Sequence, residues 1–76
     1  MIAVVVEDFW PEGFVIHGIA ASVEQAAILA VGKNFSNQTQ IEMVPMGIPL
    51  MESNRLDGSI INGAVEIYNI DGTKSS

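Results

Sequence analysis

The chain contains no cysteine, which excludes disulfides and thiolate metal sites. Stability must then come from buried apolar surface and from association. Basic residues are nearly as scarce. Lys33, Arg55 and Lys74 stand against nine carboxylates, for a formal charge of −6 over 76 residues. Proteins bind nucleic-acid backbones by displacing counterions with Lys and Arg. Three scattered bases make no such track, so no direct nucleic-acid contact is expected. An acidic mimic of DNA would want its carboxylates in rows, whereas only Glu7, Asp8 and Glu12 form a local cluster. Charged residues of all kinds make up 16% of the chain, below the usual quarter. A small domain has a large surface fraction, so apolar groups must be exposed or covered by a partner.

Catalytic and cofactor motifs are also missing. His17 is the only histidine; a metal site would need further ligands, and catalysis a nucleophile or an orienting carboxylate. It reads as a structural or exposed strand histidine. Glu7 and Asp8 are adjacent, so in a strand they point to opposite faces. Asp57 and Asp71 each precede a glycine and read as turn formers. The glycines form no phosphate loop or dinucleotide motif. Neither an enzyme nor a cofactor, metal included, is expected. The opening Met-Ile-Ala-Val-Val-Val-Glu-Asp has no basic region and too short an apolar run for a signal peptide or membrane span. A cytoplasmic protein with no membrane association is expected. The sequons at Asn34 and Asn37 read as chance matches in a polar loop.

Against these absences stands a helix with almost no polar face. Ser22 to Val31 reads Ser-Val-Glu-Gln-Ala-Ala-Ile-Leu-Ala-Val. Ser22 and Gln25 form a capping box, Glu24 suits the positive end of the dipole, and Gly32 with Lys33 suits the C-terminus. Val23, Ala26, Ala27 and Ala30 can face a core while Ile28, Leu29 and Val31 remain for an oligomer interface, a dimer being favoured.

The remaining elements follow from pattern. Ile2 to Val6 is an apolar β-branched run that fits a central strand. Asp8 to Gly13 is a turn, and Phe14 to Ile19 a second strand antiparallel to the first. Ile41 to Val44 fits a third, after which Pro45 and Pro49 exclude a central strand. Leu56 to Ile61 and Ala64 to Ile70, joined by Asn62-Gly63, predict a hairpin with a type I′ turn. The expected class is α+β, an antiparallel sheet of four to five strands with one short helix, in the order β-β-α-β-β-β. Residues 1–72 form one domain and 73–76 a frayed tail. The helix covers one sheet face, and the other is expected to lie open.

Two segments read as partner contacts. Phe9 and Trp10 sit in an acidic turn, and tryptophan is enriched at interface hot spots; the alternative is an aromatic pair folded back on the core. Met46, Ile48 and Met51 lie in the proline-punctuated segment from Met43 to Met51, which reads equally as an adaptable docking loop or as core filler.

The run Phe14-Val15-Ile16-His17-Gly18-Ile19-Ala20-Ala21-Ser22-Val23-Glu24-Gln25-Ala26 follows the Val-Val-Val strand and the acidic aromatic turn. This order is similar to that of small phage and prophage accessory proteins. They have a hydrophobic strand, a Gly-Val-Phe/Tyr-Ser-like approach and a helix opening Ser-x-Glu-x-Ala. The likeness covers about the first thirty residues. It departs at the helix, which is charged in those proteins and rich in Ala and Ile here. It implies a phage-encoded accessory protein, acting in a host cytoplasm on a host factor such as a defence or metabolic enzyme. The composite expectation is a small oligomeric protein that binds or inhibits a host protein. The alternatives are an oligomeric sponge for a signalling nucleotide and a small virion or assembly component.

Overall fold

In the computed structural model, which describes residues 1–54 and 56–75, the β-branched run lies at the centre of the sheet. Strands β1 (Ile2–Asp8), β2 (Phe14–Ala20), β3 (Thr39–Val44) and β4 (Glu66–Tyr68) and helix α1 (Val23–Ala30) follow in the chain order β-β-α-β-β. The four strands form one antiparallel sheet in the order β2-β1-β3-β4. This is the α+β layout expected, with one element fewer. Arg55 and Ser76 lie outside the described residues, and with them the Arg55 share of the basic count and the last residue of the expected tail.

Alternation along β1 separates two cores. Ala3 and Val5 pack with Ile41 and Ala26 beneath α1, with Val23, Ala27, Phe35 and Tyr68 at the margin. Val4 and Val6 point the other way and pack with Val44, Ile60 and Ile61, bordered by Phe14, Ile16, Leu50 and Ala64. The second face is therefore covered, contrary to the sequence expectation. Its cover is the irregular segment between β3 and β4. Burying Ile60 and Ile61 stabilises it by about 1.5–3 kcal/mol per side chain.

The device that holds this cover is Glu42. It has no exposed surface and pairs with Val4 in the ladder, so its carboxylate points into the second core. The carboxylate accepts the Ile60 N–H at 2.6 Å and the Ile61 N–H at 2.9 Å. Gln40 Nε2 donates to it at 2.6 Å and to the Gly58 carbonyl at 3.0 Å. A buried carboxylate needs such donors. The amides of a segment that runs outside the ladder need an acceptor in turn.

The expected hairpin is absent for the same reason. Asn62-Gly63 does turn the chain, with Gly63 at φ +91° and the Ala64 N–H donating to the Ile61 carbonyl. Ile61 nevertheless bridges to Glu52, and the Ile60 and Asn62 amides serve Glu42 and the Met51 carbonyl. Ile60 and Ile61 are adjacent and both buried, which an alternating hairpin strand does not allow. Leu56, expected in that strand, is 88% exposed. The chain then passes to β3, where the Val65 N–H donates to the Met43 carbonyl, and only residues 66–68 pair as a strand.

Helix α1 is capped as the sequence requires. Ser22 Oγ accepts the Gln25 N–H at 3.2 Å, and Gln25 Oε1 accepts the Ala21 N–H at 3.1 Å. The helix ends two residues before Gly32, which takes a left-handed φ of +75°. The C-terminal residues depart from the frayed tail expected. Lys74 bridges to Tyr68 and the Ser75 N–H donates to the Ile67 carbonyl, so residues 74–75 line the outer side of β4. No helix among the described residues is long and apolar enough to cross a membrane.

Replacing Glu42 tests the role of its carboxylate. Glu42→Ala leaves two buried amides without an acceptor and is expected to cost about 3 kcal/mol in chemical denaturation. A loss below about 1 kcal/mol, the scale of one ordinary hydrogen bond, would contradict it.

Candidate interaction surfaces

The Phe9–Trp10 turn is built by the strand ends on either side. The Asp8 N–H donates to the Gln38 carbonyl, the Phe9 N–H to the Gly13 carbonyl at 2.9 Å and the Glu12 N–H to the Phe9 carbonyl at 2.8 Å. Asp8 Oδ1 accepts the Trp10 N–H at 2.9 Å. The Trp10–Pro11 peptide is cis. Backbone bonding thus fixes the turn while its side chains stay outside: Trp10 is 69% exposed and Phe9 47%. They do not fold back onto the core. Glu7, Asp8, Glu12 and Ser36 share an open cleft with them, which gives the aromatics an acidic border.

The structure separates the two groups read as partner contacts. Val44 pairs with Ile2 at one end of β1, and Phe9 follows Asp8 at the other. Met46, two residues past Val44, therefore lies a strand length away from Phe9, about 20 Å at roughly 3.3 Å per residue. Ile48 sits against Gly63 and the Met51 carbonyl accepts the Asn62 N–H, near the same end as Met46. Met46, Ile48 and Met51 are exposed, whereas Leu50 between them packs on the second core. The segment is core filler at Leu50 and open surface at Met46 and Met51, while Met43 in β3 packs against the core beneath α1.

Helix α1 is divided in a similar way. Ala26 and Ala30 are buried, and Ile28, Leu29 and Val31 are exposed, as the side chain pattern demands. Those three do not share one flank. Ile28 and Val31 join Ala27, Ala30 and Ile70 around an apolar cleft of about 350 Å³. Leu29 turns toward β2, where a Cβ at Gly18 would stand only 3.2 Å from its Cδ1. With Val5, His17, Lys33 and Phe35 it lines a smaller pocket of about 240 Å³.

That pocket holds a contact which the sequence did not reveal. The ladder between β1 and β2 shifts between Val5 and Val6, which pair with Gly18 and Ile16. His17 is the extra residue of this bulge, and bulges redirect side chains. Its Nε2 lies 2.7 Å from Glu7 Oε1, and its ring stacks on Phe35 with centroids 4.3 Å apart. The Ser36 N–H donates to Glu7 Oε2 at 3.2 Å. Hydrogen bonding from Ser36, then from His17, holds the Glu7 carboxyl below its ordinary value. The arrangement ties the loop after α1 to β1 and β2. Among the described residues, no group of three His, Asp or Glu side chains could hold a metal ion.

Compared with known proteins, the chain matches no family model, no curated protein and no solved structure.

The lowered Glu7 carboxyl has a pH signature. A carboxyl depressed on folding contributes stability above its unfolded value, near 4.5, and loses it as pH falls through the lower folded value. Glu7→Gln is therefore expected to lower Tm at neutral pH, with the difference from wild type closing in acid. An equal Tm difference at both ends of the titration would contradict the assignment.

Proposed function

We propose that the chain is a small acidic interaction protein that self-associates through apolar helix side chains and binds a protein partner through its aromatic turn. The observation that carries this reading is Trp10. It is the chain's single tryptophan, it stands 69% exposed, and its turn is held by backbone hydrogen bonds on both sides. A rigid, exposed aromatic loses little conformational freedom on binding, which favours an anchor role. Glu7, Asp8 and Glu12 border it, so the complementary surface is an apolar pocket with a basic rim. The chain's charge of −6 would speed encounter with such a surface.

Ile28 and Val31, exposed together around one apolar cleft beside α1, support self-association, because a contiguous apolar patch on a small chain marks a contact surface. The likeness to phage accessory proteins is the reason to seek the partner among bacterial proteins and to test for its inhibition.

Trp10→Ala is the direct test. Partners retained from bacterial lysate by the wild type are identified by mass spectrometry, purified and titrated. The variant is expected to bind at least about tenfold more weakly, or about 1.4 kcal/mol, with Tm unchanged. Unchanged affinity in both Trp10→Ala and Phe9→Ala would overturn the choice of surface.

A further inference from the structure

The Asn62-Gly63 turn has a chemistry as well as a shape. The backbone nitrogen of the residue after an asparagine can attack the side-chain amide carbon, and glycine, with no Cβ, crowds that approach least. The chain has four other asparagines, Asn34, Asn37, Asn54 and Asn69, which precede Phe35, Gln38, Arg55 and Ile70. Asn62 alone precedes a glycine. The fold leaves its reacting atoms free. Asn62 and Gly63 are both exposed. Among the described residues the Gly63 N–H has no hydrogen-bond partner, and neither has the Asn62 side-chain amide. By contrast, Asn54 Oδ1 accepts the Leu56 N–H at 3.1 Å, and Asn69 Nδ2 donates to Thr73 Oγ1 at 3.0 Å. The bond that closes the turn, from the Ala64 N–H to the Ile61 carbonyl, is 3.4 Å long. That is beyond the ordinary range, so it does little to hold the peptide plane between Asn62 and Gly63. Glycine is also fixed at this place: its φ is +91°, and a Cβ would stand 2.8 Å from Ile48 Cδ1.

We propose that Asn62 is a self-modification site, converted in the folded protein to isoaspartate. The Gly63 nitrogen gives up its proton and bonds to Asn62 Cγ. The Cγ–Nδ2 bond breaks, and the amide nitrogen leaves with that proton as ammonia. The succinimide ring so formed takes up one water. Hydrolysis at the Asn62 main-chain carbonyl breaks its bond to the Gly63 nitrogen, and the chain then runs through Cβ and Cγ with a free α-carboxylate. Hydrolysis at Cγ instead gives aspartate. No oxidant, metal or enzyme enters the balance. The position gives the isoaspartyl product a structural consequence. The main chain gains one carbon directly after Ile61, whose N–H is held by Glu42 and which bridges to Glu52. The lengthening falls just before Ala64, which packs on the second core. A negative charge is added to a chain already at −6. The longer turn displaces Ala64 relative to Ile61, so conversion loosens the end of the layer that Glu42 holds.

The test is peptide mapping of the wild-type protein, incubated folded at physiological temperature and mildly alkaline pH. Asn62 is expected to gain the mass of NH exchanged for O at least tenfold faster than Asn34 or Asn37. Ammonia is released in step, and fragment ions show the isoaspartyl linkage. The converted form, separated from its parent by ion exchange, is expected to melt at a lower temperature. Its Ile60 and Ile61 amides are expected to exchange at least tenfold faster. Asn62→Gln, incubated alike, is expected to keep its Tm. A folded Asn62 that reacts no faster than Asn34 and Asn37 overturns the site. A converted form with unchanged Tm and exchange overturns the link to the second layer, as does an equal loss of Tm in incubated Asn62→Gln.

Discussion

The carboxylate of Glu42 organises the half of the molecule that has little regular structure. It stands in a strand, between Ile41 and Met43, on the sheet face opposite the helix. Without an acceptor there, the amides of Ile60 and Ile61 would be buried unpaired. The segment between β3 and β4 could then not lie on Val4, Val6 and Val44. With it, a stretch interrupted by two prolines serves as the second layer of the fold. One charged side chain thus substitutes for the ladder bonds that a second helix or hairpin would have provided. Burying it costs desolvation, which the two backbone amides and Gln40 offset.

That compensation explains which features of the fold were readable. Local signals with short range came through: the β-branched run of β1, the Ser22–Gln25 cap, the Gly32 terminus and the α+β class. The Asn62-Gly63 dipeptide turned the chain as its chemistry requires, yet its flanks did not pair with one another. What competes with the hairpin is a contact eighteen and nineteen residues away in sequence, and no local pattern encodes it. One clue was present. Glu42 interrupts Ile41-Glu42-Met43-Val44, and by alternation it shares a face with Val44, so a charge was due to be buried if that face was covered.

The surfaces divide along the same lines. Exposure of Ile28, Leu29 and Val31 was legible because the apolar side chains from Val23 to Val31, interrupted only by Glu24 and Gln25, cannot all face one core. Their separation onto two flanks was not, since it depends on where Gly18 lets Leu29 approach β2. The meeting of His17 with Glu7 was hidden by the bulge, which shifts register by a residue and reverses the side expected from alternation. The distance between the aromatic turn and Met46 follows from antiparallel pairing of β1 with β3, where sequence neighbours of opposite strand ends are carried apart. The protein's exposed apolar groups therefore form several small surfaces at separate places on a well-braced sheet, and that arrangement suits binding through a few anchors.

The measurement that bears most directly on this account is amide hydrogen exchange at Ile60 and Ile61, resolved by NMR in the monomeric concentration range. If the Glu42 carboxylate holds the segment on the sheet, both amides exchange as slowly as those of Val4 and Val6 in the central strand, although neither belongs to a ladder. If the two exchange at the rate of an open loop while β1 stays protected, the segment does not form the second layer and the account fails at its centre.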